Sequence, residues 1–254
     1  MSSSKTSKSI AIIGGSGLQR LPDLKITRED RVDTPYGAPS APLIHGEFAG
    51  RRVIFLTRHG AGHTLPPHLI NYRANIHALK SAGVSGIIAV ATVGGITIEM
   101  RPERIVIPDQ IIDYTYGRAH TFFEGDDTPV THVDFTRPYD PSLQQQLIDA
   151  AATAGIDVVP HGVYGATQGP RLESAAEIDR MERDGCDIVG MTGMPEAGLA
   201  RELGIPYACC AVVVNRAAGR CAATITPQII EAHLNAGMTQ VVALLRATLS
   251  LNTS

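Results

Sequence analysis

From Ile10 to Leu251, short apolar runs alternate with amphipathic segments, and the runs give way to glycines or to polar and charged residues. That pattern produces an α/β fold, in which helices cover the faces of a largely buried sheet. It is densest in Val163–Asn215. There Gly169-Pro-Arg-Leu-Glu173 lies between an expected strand and helix, Gly190-Met-Thr-Gly-Met-Pro-Glu196 lies between the next such pair, and Asn215 ends a long apolar run. Open α/β sheets bind ligands outside the carboxyl ends of their strands, because helix N-terminal N–H groups and loop side chains converge there. The stretch is therefore read as a site.

The remaining elements follow from the same periodicities. Strands are expected at Ile10–Ile13, Leu43–Glu47, Arg52–Thr57, Val84–Val93, Arg104–Ile112, Cys186–Met191 and Pro206–Val214, with Ala49-Gly50-Arg51 closing a hairpin. Helices are expected at His68–Ala82, Ser142–Ala154, Glu173–Asp184, Glu196–Leu203 and from Pro227 to about Leu251. Arg118–Thr136 has no clear period and reads as a functional loop or an oligomer contact. With no internal repeat, low-complexity region or linker, residues 1–254 read as one domain, and the polar residues 1–8 are expected to be disordered.

Charge and cysteine content exclude several classes. The chain of 254 residues carries 22 Lys+Arg against 25 Asp+Glu, scattered rather than in a basic block, so nucleic acid is not an expected partner. No segment reads as a signal peptide or a membrane span, which implies a cytoplasmic protein. Cys186, Cys209, Cys210 and Cys221 lack CxxC spacing, so neither disulfides nor a cysteine zinc site is expected.

Two further clusters carry chemistry. Gly14-Gly-Ser-Gly17 follows a strand at once and suggests an anion cradle, although it has neither the GxGxxG register nor the lysine of a P-loop. Arg58-His59 ends another strand, where a planar guanidinium matches phosphate oxygens and the histidine can add a donor. His59 and His63 are four apart, but Gly60 and Gly62 argue against a helix and no glutamate follows His59, so no metal is expected.

Taken in order, Gly14-Gly-Ser-Gly17, Arg58-His59, Asn71-Tyr-Arg-Ala-Asn75, Gly169-Pro-Arg-Leu-Glu-Ser174 with Ala176-Glu177, and Gly190–Glu196 resemble the trimeric purine nucleoside phosphorylase family, on its methylthionucleoside branch. The resemblance runs from about Ile10 to Leu249. It implies one α/β domain around a mixed, barrel-like sheet flanked by helices. It also implies a homotrimer, a purine nucleoside as substrate, and inorganic phosphate as co-substrate with no other cofactor. Phosphate attacks the anomeric carbon and the base departs through an oxocarbenium-like state.

By resemblance, Ser16, Arg58, His59, the backbone at Thr92 and the hydroxyl of Thr192 hold phosphate, Met191 lies against the ribose, and Leu172 stands where relatives stack a phenylalanine on the base. Asn215, Glu173 and His59 carry the chemistry. Similar enzymes that cleave methylthioadenosine have an aspartate at the Asn215 position, a second where this chain has Ala217, and a serine at the Glu173 position. A carboxylate facing N1 suits a 6-oxopurine, which has a proton there, and opposes adenine, which does not. Inosine enzymes place a histidine near the position of Ile229; here Ile229 and Thr226, with His132 from a neighbouring subunit, would form an apolar 5′ pocket. Together these imply S-methyl-5′-thioinosine as substrate. The alternatives are a methylthioadenosine phosphorylase, a general 6-oxopurine nucleoside phosphorylase, and an inactive purine-binding protein on the same fold.

Overall fold

In chain order the elements are β1 (Ile10–Gly14), β2 (Lys25–Asp30), β3 (Leu43–Phe48), β4 (Arg51–Thr57), α1 (Tyr72–Ser81), β5 (Ile87–Gly95), β6 (Ile105–Val106), β7 (Gln110–Asp113), α2 (Pro141–Ala154), β8 (Val158–Val159), β9 (Val163–Ala166), α3 (Ala175–Arg183), β10 (Ile188–Gly190), α4 (Gly193–Glu202), β11 (Tyr207–Arg216) and α5 (Pro227–Leu251). This computed structural model describes residues 9–125, 129–221 and 226–251. The expected disordered stretch 1–8 lies outside the described residues.

Among the described residues the strands form one mixed sheet of eleven, with a backbone order β2-β3-β4-β1-β5-β10-β9-β7 and a branch in which β11 joins β5 to β6 and β6 joins β8. The sheet forks at β5. Along one edge β5 pairs in parallel with β11 for nearly its whole length. Its other pairings are shared: Ile87–Ala89 pair with β1, and Gly94 and Gly95 pair antiparallel with β10. Between those two partners, residues 90–93 have no ladder neighbour on that side. A sheet that parts in this way leaves a crevice at its switch point, where ligands bind in α/β proteins.

The central strands are apolar throughout because they are buried on both faces. Ile13, Ile54, Ala89, Ala91, Cys209 and Ala211 pack on the side of α1 and α4. Their alternates Ile12, Val53, Ile88, Val90, Ala208 and Cys210 pack on the side of α2 and α5. Helix starts are set by local chemistry. Asn71 accepts from the Ala74 amide at α1, and Asp140 does the same for Leu143 at α2, where Pro141 fills the first turn. At α3, Ser174 and Glu177 form a reciprocal capping box.

Two expected elements change notably, and one strand is additional. The strand expected at Arg104–Ile112 is two short strands, β6 and β7, because Pro108 between them has no N–H to donate to a ladder. The helix expected from His68 begins only at Tyr72, preceded by a single 3-10 turn at Pro67–Leu69. Strand β2 has no counterpart in the sequence reading. It is an exposed edge strand paired only with β3, and its charged sequence KITRED lacks an apolar face.

Candidate active site

The crevice at the fork of β5 opens into a pocket of about 460 Å³, within the range of small-ligand sites. Its floor is Ala91, Thr92, Val93 and Gly94 of β5. Ser16, Arg58, His59, Met191, Leu172, Glu173, Thr192 and Asn215 also line it, so five further chain segments converge on β5.

Each side chain reaches the pocket for a definable reason. After β1, Gly15-Ser16-Gly17-Leu18 makes a turn closed by the Leu18 amide and the Gly15 carbonyl, with Gly17 at φ 78°. Gly15 itself has no room for a side chain: a Cβ there would lie 2.8 Å from the Val90 carbonyl oxygen and 2.9 Å from Arg58 Nη1. That carbonyl belongs to the unpaired part of β5, and Arg58 Nη1 donates to it at 2.8 Å. The arginine thus closes the fork that the ladder leaves open.

Arg58 is 1% exposed and Glu196, on the first turn of α4, is fully buried. They form a two-pronged pair, Nε to Oε2 at 2.7 Å and Nη2 to Oε1 at 2.8 Å. The Tyr207 hydroxyl donates to the same Oε1 at 2.8 Å. Burial works against the Arg58 charge, and the attraction and hydrogen bonds of Glu196 outweigh it, so its pKa is raised. Three of the five guanidinium N–H groups are used in these contacts, which leaves two for a ligand.

His59 places Nδ1 2.9 Å from the Leu65 carbonyl and stacks on His63 with ring centroids 4.3 Å apart. Burial, then the Arg58 charge and His63, lower its pKa to about 4. The ring is therefore neutral at physiological pH, its one proton goes to a carbonyl that can only accept, and Nε2 carries a lone pair. With Nδ1 committed to the Leu65 carbonyl, Nε2 is the ring nitrogen left over, and in a neutral ring it accepts rather than donates. The lowered pKa also fixes a pH dependence. Between pH 6.5 and about 4 the unfolded chain binds a proton at His59 that the folded chain refuses, so stability falls as pH drops through that window, by roughly 3 kcal/mol in all. Urea unfolding of wild type and His59→Gln should show a stability gap that varies with pH between 4 and 6.5. A gap independent of pH in that interval would contradict the assignment.

Thr192 stands at the N-cap of α4, yet its side chain makes no capping bond, so its hydroxyl is available. Glu173 accepts from the Thr167 hydroxyl at 2.7 Å, just before the capping box of α3. Asn215 follows a bulge in β11, where the register with β5 shifts between Val213 and Asn215, and both Val214 and Asn215 line the pocket. Its Nδ2 donates to the Arg216 carbonyl at 2.8 Å. Since that carbonyl only accepts, the amide cannot be reversed without losing the bond, and Oδ1 is the pole left for a ligand.

Residues 9–250 match the family described as the phosphorylase superfamily. The chain belongs to that superfamily. A probable S-methyl-5′-thioinosine phosphorylase of Pseudomonas syringae pv. tomato is 55% identical over 240 residues, covering 94% of this chain and 98% of that protein. The 6-oxopurine nucleoside phosphorylase of Pyrococcus furiosus is 45% identical over 247 residues, covering 95% of this chain and 92% of its own. Among solved structures, the methylthioadenosine phosphorylase from Schistosoma mansoni in complex with adenine superimposes with a TM-score of 0.92 at 30% identity, over 96% of this chain and 91% of that one. The expected family and α/β fold are therefore those of this phosphorylase.

Two residues assigned to the 5′ end, Ile229 and Thr226, lie outside the pocket lining, whereas His132 was expected from a neighbouring copy. Ile229 is exposed, and Ile230, the next position on α5, lines the pocket instead. The Thr226 hydroxyl accepts from the Ile229 amide at 3.3 Å, a helix-capping contact. His132 is exposed and does not line the pocket of its own chain. Conversely, Arg118 was not singled out by sequence, because it sits in an aperiodic stretch, yet it is 8% exposed and bonds to both loops that flank the site.

Proposed function

We propose that this phosphorylase cleaves S-methyl-5′-thioinosine with inorganic phosphate, releasing hypoxanthine and 5-methylthioribose 1-phosphate, as a single-domain homotrimer working in cytoplasmic purine salvage. The observation that carries this reading is that Glu173 and the oriented amide of Asn215 line the same pocket as Ser16, Arg58, His59 and Thr192. A 6-oxopurine offers protons at N1 and, as it departs, at N7. Glu173 accepts the first and Asn215 Oδ1 the second. Phosphate lies against Ser16, Arg58, the Thr92 backbone and the Thr192 hydroxyl, while His59 Nε2 accepts the hydrogen of monohydrogen phosphate.

An oxygen of phosphate forms the new bond to the anomeric carbon as the bond to the purine nitrogen breaks, with the electron pair moving into the ring. The proton that phosphate gives up is the one the base gains, so the equation balances without a redox partner or metal. Met191 lies against the ribose and Leu172 against the base. Ile230, rather than Ile229, supplies the apolar 5′ wall, with His132 arriving from a neighbouring copy.

The relatives support the base and the 5′ group separately: one is named for methylthioinosine and another for 6-oxopurine nucleosides. Comparing kcat/KM for methylthioinosine, methylthioadenosine and inosine, with and without phosphate, tests the proposal. Methylthioinosine should be preferred, with turnover strictly dependent on phosphate. Preference for methylthioadenosine would overturn the base assignment, and preference for inosine would overturn the 5′ assignment.

A further inference from the structure

Arg118 is a buried cation with an unusual set of partners. Its Nε donates to the Gln168 side-chain oxygen at 3.1 Å. Nη2 donates to the carbonyls of Thr167 at 3.2 Å and Gln168 at 2.8 Å. Nη1 donates to the carbonyls of Met191 at 2.8 Å and Met194 at 2.6 Å, and to the Tyr72 hydroxyl at 3.3 Å. The guanidinium also lies 5.4 Å from the centre of the Tyr72 ring. Every hydrogen-bond acceptor is neutral, and no carboxylate among the described residues pairs with it. A cation desolvated without a counter-ion is costly unless all its N–H groups are satisfied, and here neutral acceptors satisfy them.

What those acceptors belong to gives the arrangement its meaning. Met191 and Met194 bracket Thr192, whose hydroxyl is free of any capping role. Thr167 holds Glu173 through its hydroxyl, and its amide donates to the Gly190 carbonyl at 2.8 Å. One planar fork therefore fastens the turn that presents Thr192 to the loop that presents Glu173, from a third segment that is otherwise irregular.

We infer that Arg118 is a positioning residue that sets the spacing between the phosphate end and the base end of the site. The inference rests on the roles proposed above for Thr192 and Glu173. Arg118 lies outside the pocket lining and acts on substrate only through the two loops. A fork with five donors in one plane can bridge both loops, whereas an ammonium with three donors at one point cannot, so lysine is not an equivalent replacement.

Steady-state kinetics of Arg118→Lys, Arg118→Met and Arg118→Ala test the idea. All three should lower kcat by roughly 100-fold, the scale of an ångström-level misplacement, and should raise KM for phosphate and for nucleoside together. Millimolar guanidinium should restore activity to Arg118→Ala, which has space for it, and not to Arg118→Met. Should the alanine variant fail to fold, the lysine variant carries the test through its paired KM changes. Unchanged kcat and KM values in a folded lysine or methionine variant would overturn the proposal, as would a lowered melting temperature with both KM values intact and no guanidinium effect. Failure of the functional reading is separable, since it would appear as a wild-type enzyme that does not cleave methylthioinosine.

Discussion

Truncating Glu196 to alanine is expected to destabilise the protein by about 3–5 kcal/mol, because it leaves the Arg58 guanidinium buried without its counter-charge. Glu196 is fully buried and Arg58 meets only the pocket, so water compensates poorly for the lost carboxylate. Tyr207 would lose the acceptor of its buried hydroxyl in the same step. For a chain of this size the loss corresponds to a fall of roughly 10 °C in Tm. Activity should fall further than stability, since the pair also holds Nη1 on the Val90 carbonyl at the fork of the sheet. The double variant Arg58→Met/Glu196→Leu separates the two effects: it removes both charges and should regain much of the stability while remaining inactive. A Glu196→Ala protein that melts within about 2 °C of wild type would show that the pair contributes little to folding.

The same pair marks the limit of what the sequence could disclose. The strands of the core were legible because burial on both faces leaves continuous apolar runs, as in Tyr207–Val214, and the site motifs were legible because each follows such a run. The starts of α2 and α3 depend on capping contacts three residues away and were read to within two residues, whereas α1, capped by Asn71, begins four residues after the expected His68. Glu196, by contrast, reads as an acidic residue in a first helical turn. Its partner is 138 positions distant, just past the end of β4, and only the folded chain brings them together. Arg118 is hidden for the same reason: nothing in an aperiodic segment distinguishes a surface arginine from one wrapped in carbonyls. The bulge that turns Asn215 toward the pocket arises from register with β5, which no single strand reveals. The exchange of Ile229 for Ile230 is a one-residue step around a helix, about 100°, and an alignment by motif does not resolve it.

Replacing Glu173 with glutamine should have the largest effect on what the enzyme selects, with little effect on what it withstands. The capping box at Ser174 and Glu177 stays intact, and the new side chain has the same length, so Tm should hold. The chemistry changes because a carboxylate only accepts, whereas an amide either accepts or donates. Toward methylthioinosine the variant loses the charge-assisted bond to the N1 proton, or keeps a neutral one only by turning its oxygen away from Thr167, worth roughly a 10- to 100-fold fall in kcat/KM. Toward methylthioadenosine it gains a group that can donate to the unprotonated N1, so that activity should rise or hold. The ratio of the two is therefore the measurement, and it should shrink by more than either value alone changes. Thr167 sharpens the expectation, because its hydroxyl sits 2.7 Å from Oε1 and can hold the amide oxygen there, which turns the N–H₂ toward the base. If the selectivity ratio of Glu173→Gln equals that of wild type, Glu173 does not read N1, and base choice must be assigned to Asn215 and the shape of the pocket instead.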